Sequence, residues 1–290
     1  MQLKLPGQEP GDEREPRRTR KNPRRLPYSD IDISRWKDYD SIWTDSLWNV
    51  PSRERGRGHR LDYYGNFVPQ IATQVFERFS RQGDVVLDML LGSGTSAVEA
   101  LNMGRRLIGI EISAELTDRV RKKLGPRAPE LGVHVLQGDS SSRRVLRPVR
   151  KLLEREGREQ AQLLVLHPPY HNIIQFTEDA RDLSNAADTD AFLRMFRRVA
   201  KIGFELLEPK RFAALVIGDK YEDKEHVPLG FLTMREMNRA GFRTKSIVVK
   251  NMVGNERGKG KANNLWRYRA LAGGFYIFKH EYVIIFDKPH

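Results

Sequence analysis

The residues most able to do chemistry follow an apolar run. The stretch QLLVL at residues 162–166 leads into His167, Pro168, Pro169 and Tyr170. Proline fixes its own φ and has no backbone N–H, so this turn is stiff and poor in hydrogen-bond donors. It places an aromatic ring just beyond the end of a predicted buried strand. What the ring and the histidine face depends on what the rest of the chain brings to this turn.

A glycine turn follows another predicted strand, in LDMLLGSGTSAVEA. Gly92 and Gly94 let the backbone turn tightly and approach a ligand, and the helix that starts near Thr95 offers free N–H groups. Glu111 ends the next strand, where it can accept hydrogen bonds from ribose hydroxyls, and Asp139 ends the one after, where it can accept from the amino group of an adenine. Each acid alone is more typical of a turn or a helix cap. Acids in register at successive strands favour a nucleoside cofactor.

The spacing of the glycine turn bears on which cofactor it is. Ser96 and Ala97 follow Gly94, and Ala97 takes the place of the third glycine in the dinucleotide pattern Gly-x-Gly-x-x-Gly. Asp88 lies just before the turn, where its carboxylate repels a pyrophosphate and attracts the sulfonium and amino groups of S-adenosylmethionine. The sequence therefore favours S-adenosylmethionine over a nicotinamide dinucleotide.

Composition limits the partners of the chain. Its 290 residues carry a formal net charge of +13, which favours a polyanion and nucleic acid first, because Lys and Arg displace phosphate counterions. The absence of cysteine excludes disulfides, thiolate metal sites and cysteine nucleophiles, and we expect no metal. No run approaches the roughly 18 apolar residues of a membrane span. We expect a protein of the cytoplasm.

Strands and helices alternate from about residue 67 onward. Strongly apolar strands separated by amphipathic helices predict an α/β, Rossmann-like fold, with a mostly parallel seven-stranded sheet and helices on both faces. Such sheets bind ligands at the carboxyl ends of their strands, where every turn described above falls. The predicted divisions are a disordered basic tail at 1–27, an N-terminal extension at 28–66, and a catalytic domain at 67–290 with a basic aromatic insertion at about 250–276.

The insertion is the candidate for nucleic-acid recognition. Cationic side chains alternate there with aromatic rings, which suits phosphates and unstacked bases. A solvated connection anchored by its aromatic residues is an equally good interpretation. The candidate contacts are Lys259, Lys261, Trp266, Arg267 and Arg269.

Residues 59–290 resemble the amino-methyltransferases that act on the exocyclic nitrogen of adenine or cytosine, mostly in DNA. VLDMLLGSGTSAVEAL with IGIEIS is similar to their cofactor motif, with Met89 and Leu90 where the family has Pro-Phe; LHPPY is similar to their catalytic [Asp/Asn/Ser]-Pro-Pro-[Tyr/Phe/Trp]. The resemblance implies that the first motif residue and the carbonyl of Pro168 accept the amino hydrogens of the target, while Tyr170 stacks on a base flipped out of the helix. It also implies direct transfer without a covalent intermediate.

His167 departs from that motif. An imidazole accepts a hydrogen bond only while neutral, so with an ordinary pKa near 6.5 we expect activity to fall below pH ~6.5. The alternatives are a changed substrate and a degenerate enzyme.

The sequence thus predicts methylation of an exocyclic amine in DNA, with adenine N6 slightly favoured over cytosine N4, in the manner of a restriction-modification enzyme. Three alternatives stay open: an RNA base as the target, a glutamine side chain as the target, and a non-catalytic nucleic-acid-binding subunit with the same fold. A homodimer or a partner subunit is compatible with each.

Overall fold

The computed structural model describes residues 24–54, 56, 58–59, 65–223, 225–252 and 263–290. Most of the predicted basic tail and the candidate contacts Lys259 and Lys261 lie outside these ranges. In the part of the chain that is described, no helix is both long and apolar enough to cross a bilayer.

A mostly parallel sheet forms the centre of the molecule. Its strands run in the spatial order β1-β9-β10-β6-β5-β2-β3-β4, and β10 is antiparallel to both of its neighbours. A separate hairpin pairs β7 with β8. The bounds are β1 (Leu47–Trp48), β2 (Val85–Asp88), β3 (Arg106–Glu111), β4 (Val133–Gln137), β5 (Ala161–Leu166), β6 (Leu207–Ile217), β7 (Lys220–Glu222), β8 (Glu225–Val227), β9 (Arg243–Asn251) and β10 (His280–Asp287).

Helices cover both faces of this sheet. Side chains of β2 alternate between two apolar clusters. Val85 and Leu87 belong to the cluster on one face of the sheet, and Val86 belongs to the cluster on the other face. This two-sided burial explains why central strands such as β2 and β5 are almost continuously apolar. The helices are α1 (Pro69–Phe79), α2 (Thr95–Asn102), α3 (Ala114–Leu124), α4 (Leu146–Arg155), α5 (Thr189–Leu206), α6 (Leu229–Arg239) and α7 (Asn263–Gly273).

The Rossmann-like architecture is confirmed, with two corrections. The main sheet has eight strands rather than seven, because Leu47–Trp48 of the N-terminal extension pairs in parallel with β9. A strand of two residues is too short to show an alternating pattern. Helix α7 lies in the insertion that was predicted to be a loop, since Leu, Arg and Ala in NNLWRYRALAG favour a helix despite the Gly- and Asn-rich flanks.

The N-terminal extension is fastened to the edge of the sheet. The Val50 N–H donates to Asn251 Oδ1 over 2.7 Å, and Asn251 Nδ2 donates back to the Val50 carbonyl over 3.1 Å. Trp48 is buried and meets Trp43 edge-on, with 5.3 Å between ring centroids. Beyond Val50 the chain runs toward the carboxyl edge of the sheet, where Arg53 donates to the backbone carbonyl of Phe67 over 3.0 Å.

Candidate active site

A cleft of about 760 Å³ opens at the carboxyl edge of the sheet. The segments that follow β2, β3, β4 and β5 line it, so the glycine turn, the two predicted acids and the proline turn meet in one space. The cleft is where a doubly wound sheet is expected to bind its ligand.

The glycine turn forms one wall. Gly92 and Gly94 have φ angles of 55° and 78°, in a region that residues with a Cβ rarely adopt. A Cβ on Gly94 would lie 2.7 Å from Cγ1 of Val120, whereas one on Gly92 would meet nothing within 4 Å. Gly94 therefore packs the turn against α3 and does not line the cleft. Leu90, Gly92 and Thr95 do line it.

Glu111 lies beside this turn at the end of β3. Its Oε2 accepts from the Gly92 N–H and its Oε1 from the Ser113 N–H, each over 2.9 Å. Burial raises the pKa of Glu111 to about 7, and the nearby charge of Asp182 adds to the effect. The carboxylate lines the cleft with lone pairs left over for a ligand.

Asp139 occupies the predicted position after β4. Its Oδ1 accepts from the Ser141 N–H over 2.8 Å, and the residue lines the cleft. The next residue, Ser140, donates its hydroxyl to the Met89 carbonyl, which ties this turn to the glycine turn. Asp139 is thus fixed at the edge of the cleft, where a ligand amino group can reach it.

Asp88 has a different place from the one predicted. The structure puts its side chain behind the glycine turn, fully buried, and not on the cleft wall. Its Oδ1 accepts from the Leu90 N–H over 3.0 Å, and its Oδ2 accepts from the Ser96 hydroxyl. Burial raises the pKa of Asp88 to about 6. The residue braces the turn from below, since no open path leads from its carboxylate to a ligand.

The proline turn forms the opposite wall. His167, Pro168 and Pro169 all line the cleft. The His167 ring meets Phe67 and Tyr170 edge-on, with centroid distances of 5.2 and 5.9 Å, and no hydrogen bond joins it to another described residue. Burial lowers the pKa of His167 to about 4, with Glu281 opposing the shift and Lys250 adding to it. With this pKa the ring stays neutral well below pH 6.5, which moves the expected loss of activity to a lower pH.

Tyr170 lies beside the cleft rather than in its lining. Its hydroxyl donates to Glu281 Oε2 over 2.7 Å, and its ring packs on the backbone of Gly218, where a Cβ would lie 2.8 Å from Cε2. The neighbouring His171 points away. Its Nε2 donates to the Ala186 carbonyl over 2.9 Å and its Nδ1 accepts from Lys220 over 2.6 Å, so it is a satisfied structural histidine.

Several cleft residues gave no signal in the sequence. Phe176 and Asp182 line the cleft from a segment without strand or helix periodicity, and Phe67 lines it from just before α1. Gly65 meets Phe176, since a Cβ on it would lie 2.8 Å from Cζ of that ring. The segments before α1 and after the proline turn thus touch each other at the cleft. Only Asp182, an acid between two predicted elements, resembles the signals that marked Glu111 and Asp139.

The charges that line the cleft limit its ligand. Among the described lining residues there are three carboxylates, Glu111, Asp139 and Asp182, and one cation, Arg181. Arg181 is engaged by Asp179 at 2.5 Å. An acidic cleft with a glycine turn suits a nucleoside that carries positive charge and disfavours a pyrophosphate.

Helix α7 takes no part in lining the cleft. Arg267 is exposed on it, and the Arg269 guanidinium lies 5.3 Å from the centroid of the Trp266 ring. Tyr268 and Leu271 are also largely exposed, at 68% and 71%. The helix leads into a cluster in which Tyr221 stacks on Phe278 and donates to the Tyr276 carbonyl over 3.0 Å.

Comparison with known proteins agrees with this geometry. A family model described as DNA methylase matches residues 8–122, which include the glycine turn and Glu111. The matched part of the chain is therefore similar to DNA amino-methyltransferases. The acidic cleft fits S-adenosylmethionine: Glu111 could hold the ribose and Asp139 the adenine amino group.

The sequence relatives cover a small share of the chain, whereas a solved structure covers most of it. The Type II methyltransferase M.MjaII of Methanocaldococcus jannaschii is 41% identical over 18% of this chain and 10% of its own length. M.MjaI of the same organism is 28% identical over 33% of this chain and 32% of its own length. The chain thus spans about a third or less of these two relatives. The solved glycopeptide N-methyltransferase MtfA covers 86% of this chain and 95% of its own, at 14% identity and a TM-score of 0.47.

Proposed function

We propose that this protein methylates an exocyclic amino group of a base in DNA. The observation that carries the proposal is a single cleft that joins the glycine turn and its acids to the His-Pro-Pro turn. One side offers the groups that hold a nucleoside cofactor, and the other offers acceptors for an amine. S-adenosylmethionine, when bound, supplies an electrophilic methyl group.

The chemical problem is set by the amine. The lone pair of an exocyclic nitrogen is delocalised into its ring, so the nitrogen is a poor nucleophile until its hydrogens are drawn toward tetrahedral geometry. Two fixed acceptors achieve this without acid or base chemistry. We propose that the carbonyl of Pro168 is one acceptor, held by the stiff Pro168-Pro169 backbone.

His167 is the proposed second acceptor. Its ring lines the cleft, is packed between Phe67 and Tyr170, and forms no hydrogen bond with another described residue, so a ring nitrogen is available to a ligand. The lowered pKa keeps that nitrogen unprotonated at neutral pH, as an acceptor must be. A half-buried neutral imidazole thus does what Asp, Asn or Ser does in the family motif.

Adenine N6 is the first candidate for the target amine by a slight preference; the serine variant of the motif leans to cytosine and the aspartate variant to adenine, and His167 is neither. Arg267, Arg269 and Trp266 on α7 are proposed contacts to the DNA, supported by their exposure and by the net charge of +13. A base in an RNA loop is the second candidate, because it is already unstacked.

Transfer of a labelled methyl group tests the proposal. The protein is incubated with labelled S-adenosylmethionine and either unmethylated genomic DNA or total unmodified RNA, and the nucleosides are then separated by mass spectrometry. We expect label in N6-methyladenine from DNA. Label in N4-methylcytosine would keep the proposal and change the base, whereas label in RNA alone would move the substrate.

Two controls complete this experiment. Label that survives nuclease digestion and stays with protein would support an amide side chain as the target. Binding of the cofactor without any transfer would contradict the proposal and favour a nucleic-acid-binding subunit.

A further inference from the structure

A buried ion pair lies directly beside the proline turn. Lys250 and Glu281 are register partners on β9 and β10, and Lys250 Nζ lies 2.7 Å from Glu281 Oε1. Their side chains are only 3% and 9% exposed. Burying two charges is expensive, and many such pairs are no more stable than an apolar replacement, so stability alone does not explain this one.

The pair is connected to Tyr170. Lys250 takes one oxygen of Glu281, and the Tyr170 hydroxyl donates to the other over 2.7 Å. The ring of Tyr170 is therefore held at two places, because it also lies on the backbone of Gly218, where any side chain would collide with it. The phenol remains protonated as a donor, since burial and the charge of Glu281 raise the pKa of Tyr170 well above its usual value.

We propose that Glu281, held by Lys250, is a positioning residue that fixes the ring of Tyr170 for stacking on the target base. The inference rests on the proposed function. A phenol on a loop loses rotational freedom when it stacks, and a ring held by its hydroxyl and one face has lost that freedom before the base arrives. The contact with Lys250 holds one oxygen of Glu281, and the other oxygen accepts from the Tyr170 hydroxyl.

A double-mutant cycle tests this coupling. One arm is Tyr170→Phe, which keeps the ring and removes the hydroxyl. The other is Lys250→Met with Glu281→Leu, which replaces the whole pair with apolar side chains and leaves no unpaired buried charge. The third combines them. Each is assayed for single-turnover methyl transfer to DNA at saturating cofactor, and for cofactor affinity.

We expect each arm to slow transfer about tenfold, the usual cost of losing a hydrogen bond to a charged group, and the combination to cost no more than either arm alone. Cofactor affinity should stay within about twofold. Costs that multiply would overturn the inference, as would a pair replacement that leaves the rate unchanged.

A more exposed ion pair on the same two strands provides the control. Arg243 and Asp287 are register partners at the far end of β9 and β10, with 2.6 Å between Nη2 and Oδ2. Arg243→Met with Asp287→Leu should leave transfer unchanged. An equal loss in this control would show that the pairs act through the sheet and would overturn the inference.

Failure of the proposed function has a separate signature. If the wild type methylates no nucleic acid, the coupling is measured by ¹⁹F NMR of fluorotyrosine at position 170. The inference still requires the Tyr170 signal to shift or broaden when the Lys250–Glu281 pair is replaced and to stay unchanged when the Arg243–Asp287 pair is replaced. An unmoved signal would contradict it.

Discussion

The two walls of the cleft respond to burial in opposite ways. Beside the glycine turn, burial raises the pKa of Glu111 to about 7; in the proline turn, burial lowers the pKa of His167 to about 4. In both cases the low-dielectric surroundings favour the neutral form. For His167 the neutral form is the acceptor that the proposed chemistry needs. For Glu111 the ionised form binds a ribose better, so burial opposes its task.

The lesson is that one physical cause has two functional meanings in one site. His167 should be insensitive to physiological pH, and Glu111 should be the group that makes the protein pH-sensitive. The following experiments would break or sharpen this contrast.

The largest effect is expected from His167→Ala. Loss of one preorganised hydrogen-bonding group at a reacting centre costs ~10²–10³ in rate, so single-turnover methyl transfer should fall by about that factor. His167→Asn keeps an acceptor oxygen and should retain much of the rate. If the alanine variant were as fast as the wild type, His167 would have no part in the reaction.

The next effect concerns Glu111 and pH. Ribose hydroxyls donate to the ionised carboxylate, so cofactor binding favours ionisation, and affinity should weaken as the pH falls through about 7. Titration calorimetry at pH 6, 7 and 8 measures this slope. Glu111→Gln should lose about 1.5 to 3 kcal/mol of binding at pH 8 and remove the slope.

A matched control for that experiment is Glu154→Gln, at an exposed position of α4. It should leave both the affinity and its pH dependence unchanged. A slope that persists in Glu111→Gln would assign the pH sensitivity to another group.

Removal of the Tyr170 ring should weaken capture of the base rather than binding of the cofactor. Tyr170→Ala is expected to cost about 1 to 3 kcal/mol, the usual contribution of one stacked base. The fluorescence of 2-aminopurine at the target position, measured with saturating protein, checks this. Loss of cofactor affinity instead would show that the ring helps to hold the cofactor.

The smallest effect is expected from α7. Arg267→Gln with Arg269→Gln should reduce the slope of log affinity for DNA against log salt by at most about 2, with little change in the rate at low salt. Arg127→Gln with Lys122→Gln removes two cations elsewhere and serves as the control. Equal slopes in both variants would remove α7 from the DNA contacts.

Much of the fold could be predicted because its signals are local. Apolar strands and amphipathic helices gave six of the helices and the seven long strands, and the two glycines marked the turn that α2 follows. The two residues of β1 carried no periodicity, and α7 was concealed by its Gly- and Asn-rich flanks.

The site was predictable only as far as its groups face the cleft. Glu111 and Asp139 could be predicted, because residues at the carboxyl ends of parallel strands lie at the edge of the sheet where ligands bind. Asp88 could not, since the sequence does not tell which side of the turn its carboxylate takes. The pKa of His167 and the partner of Tyr170 depend on Glu281 and Lys250, which are more than 80 residues away in sequence.

The central claim is that burial keeps His167 neutral, and so able to accept a hydrogen bond, far below pH 6.5, and the pH dependence of a single turnover tests it most directly. The rate is measured from pH 5 to 8 with cofactor and DNA saturating, so that Glu111 and binding do not contribute. A His167 pKa of about 4 predicts a flat profile that His167→Asn shares. A wild-type rate that falls with the titration of one group near pH 6.5, when the rate of His167→Asn does not, would contradict it.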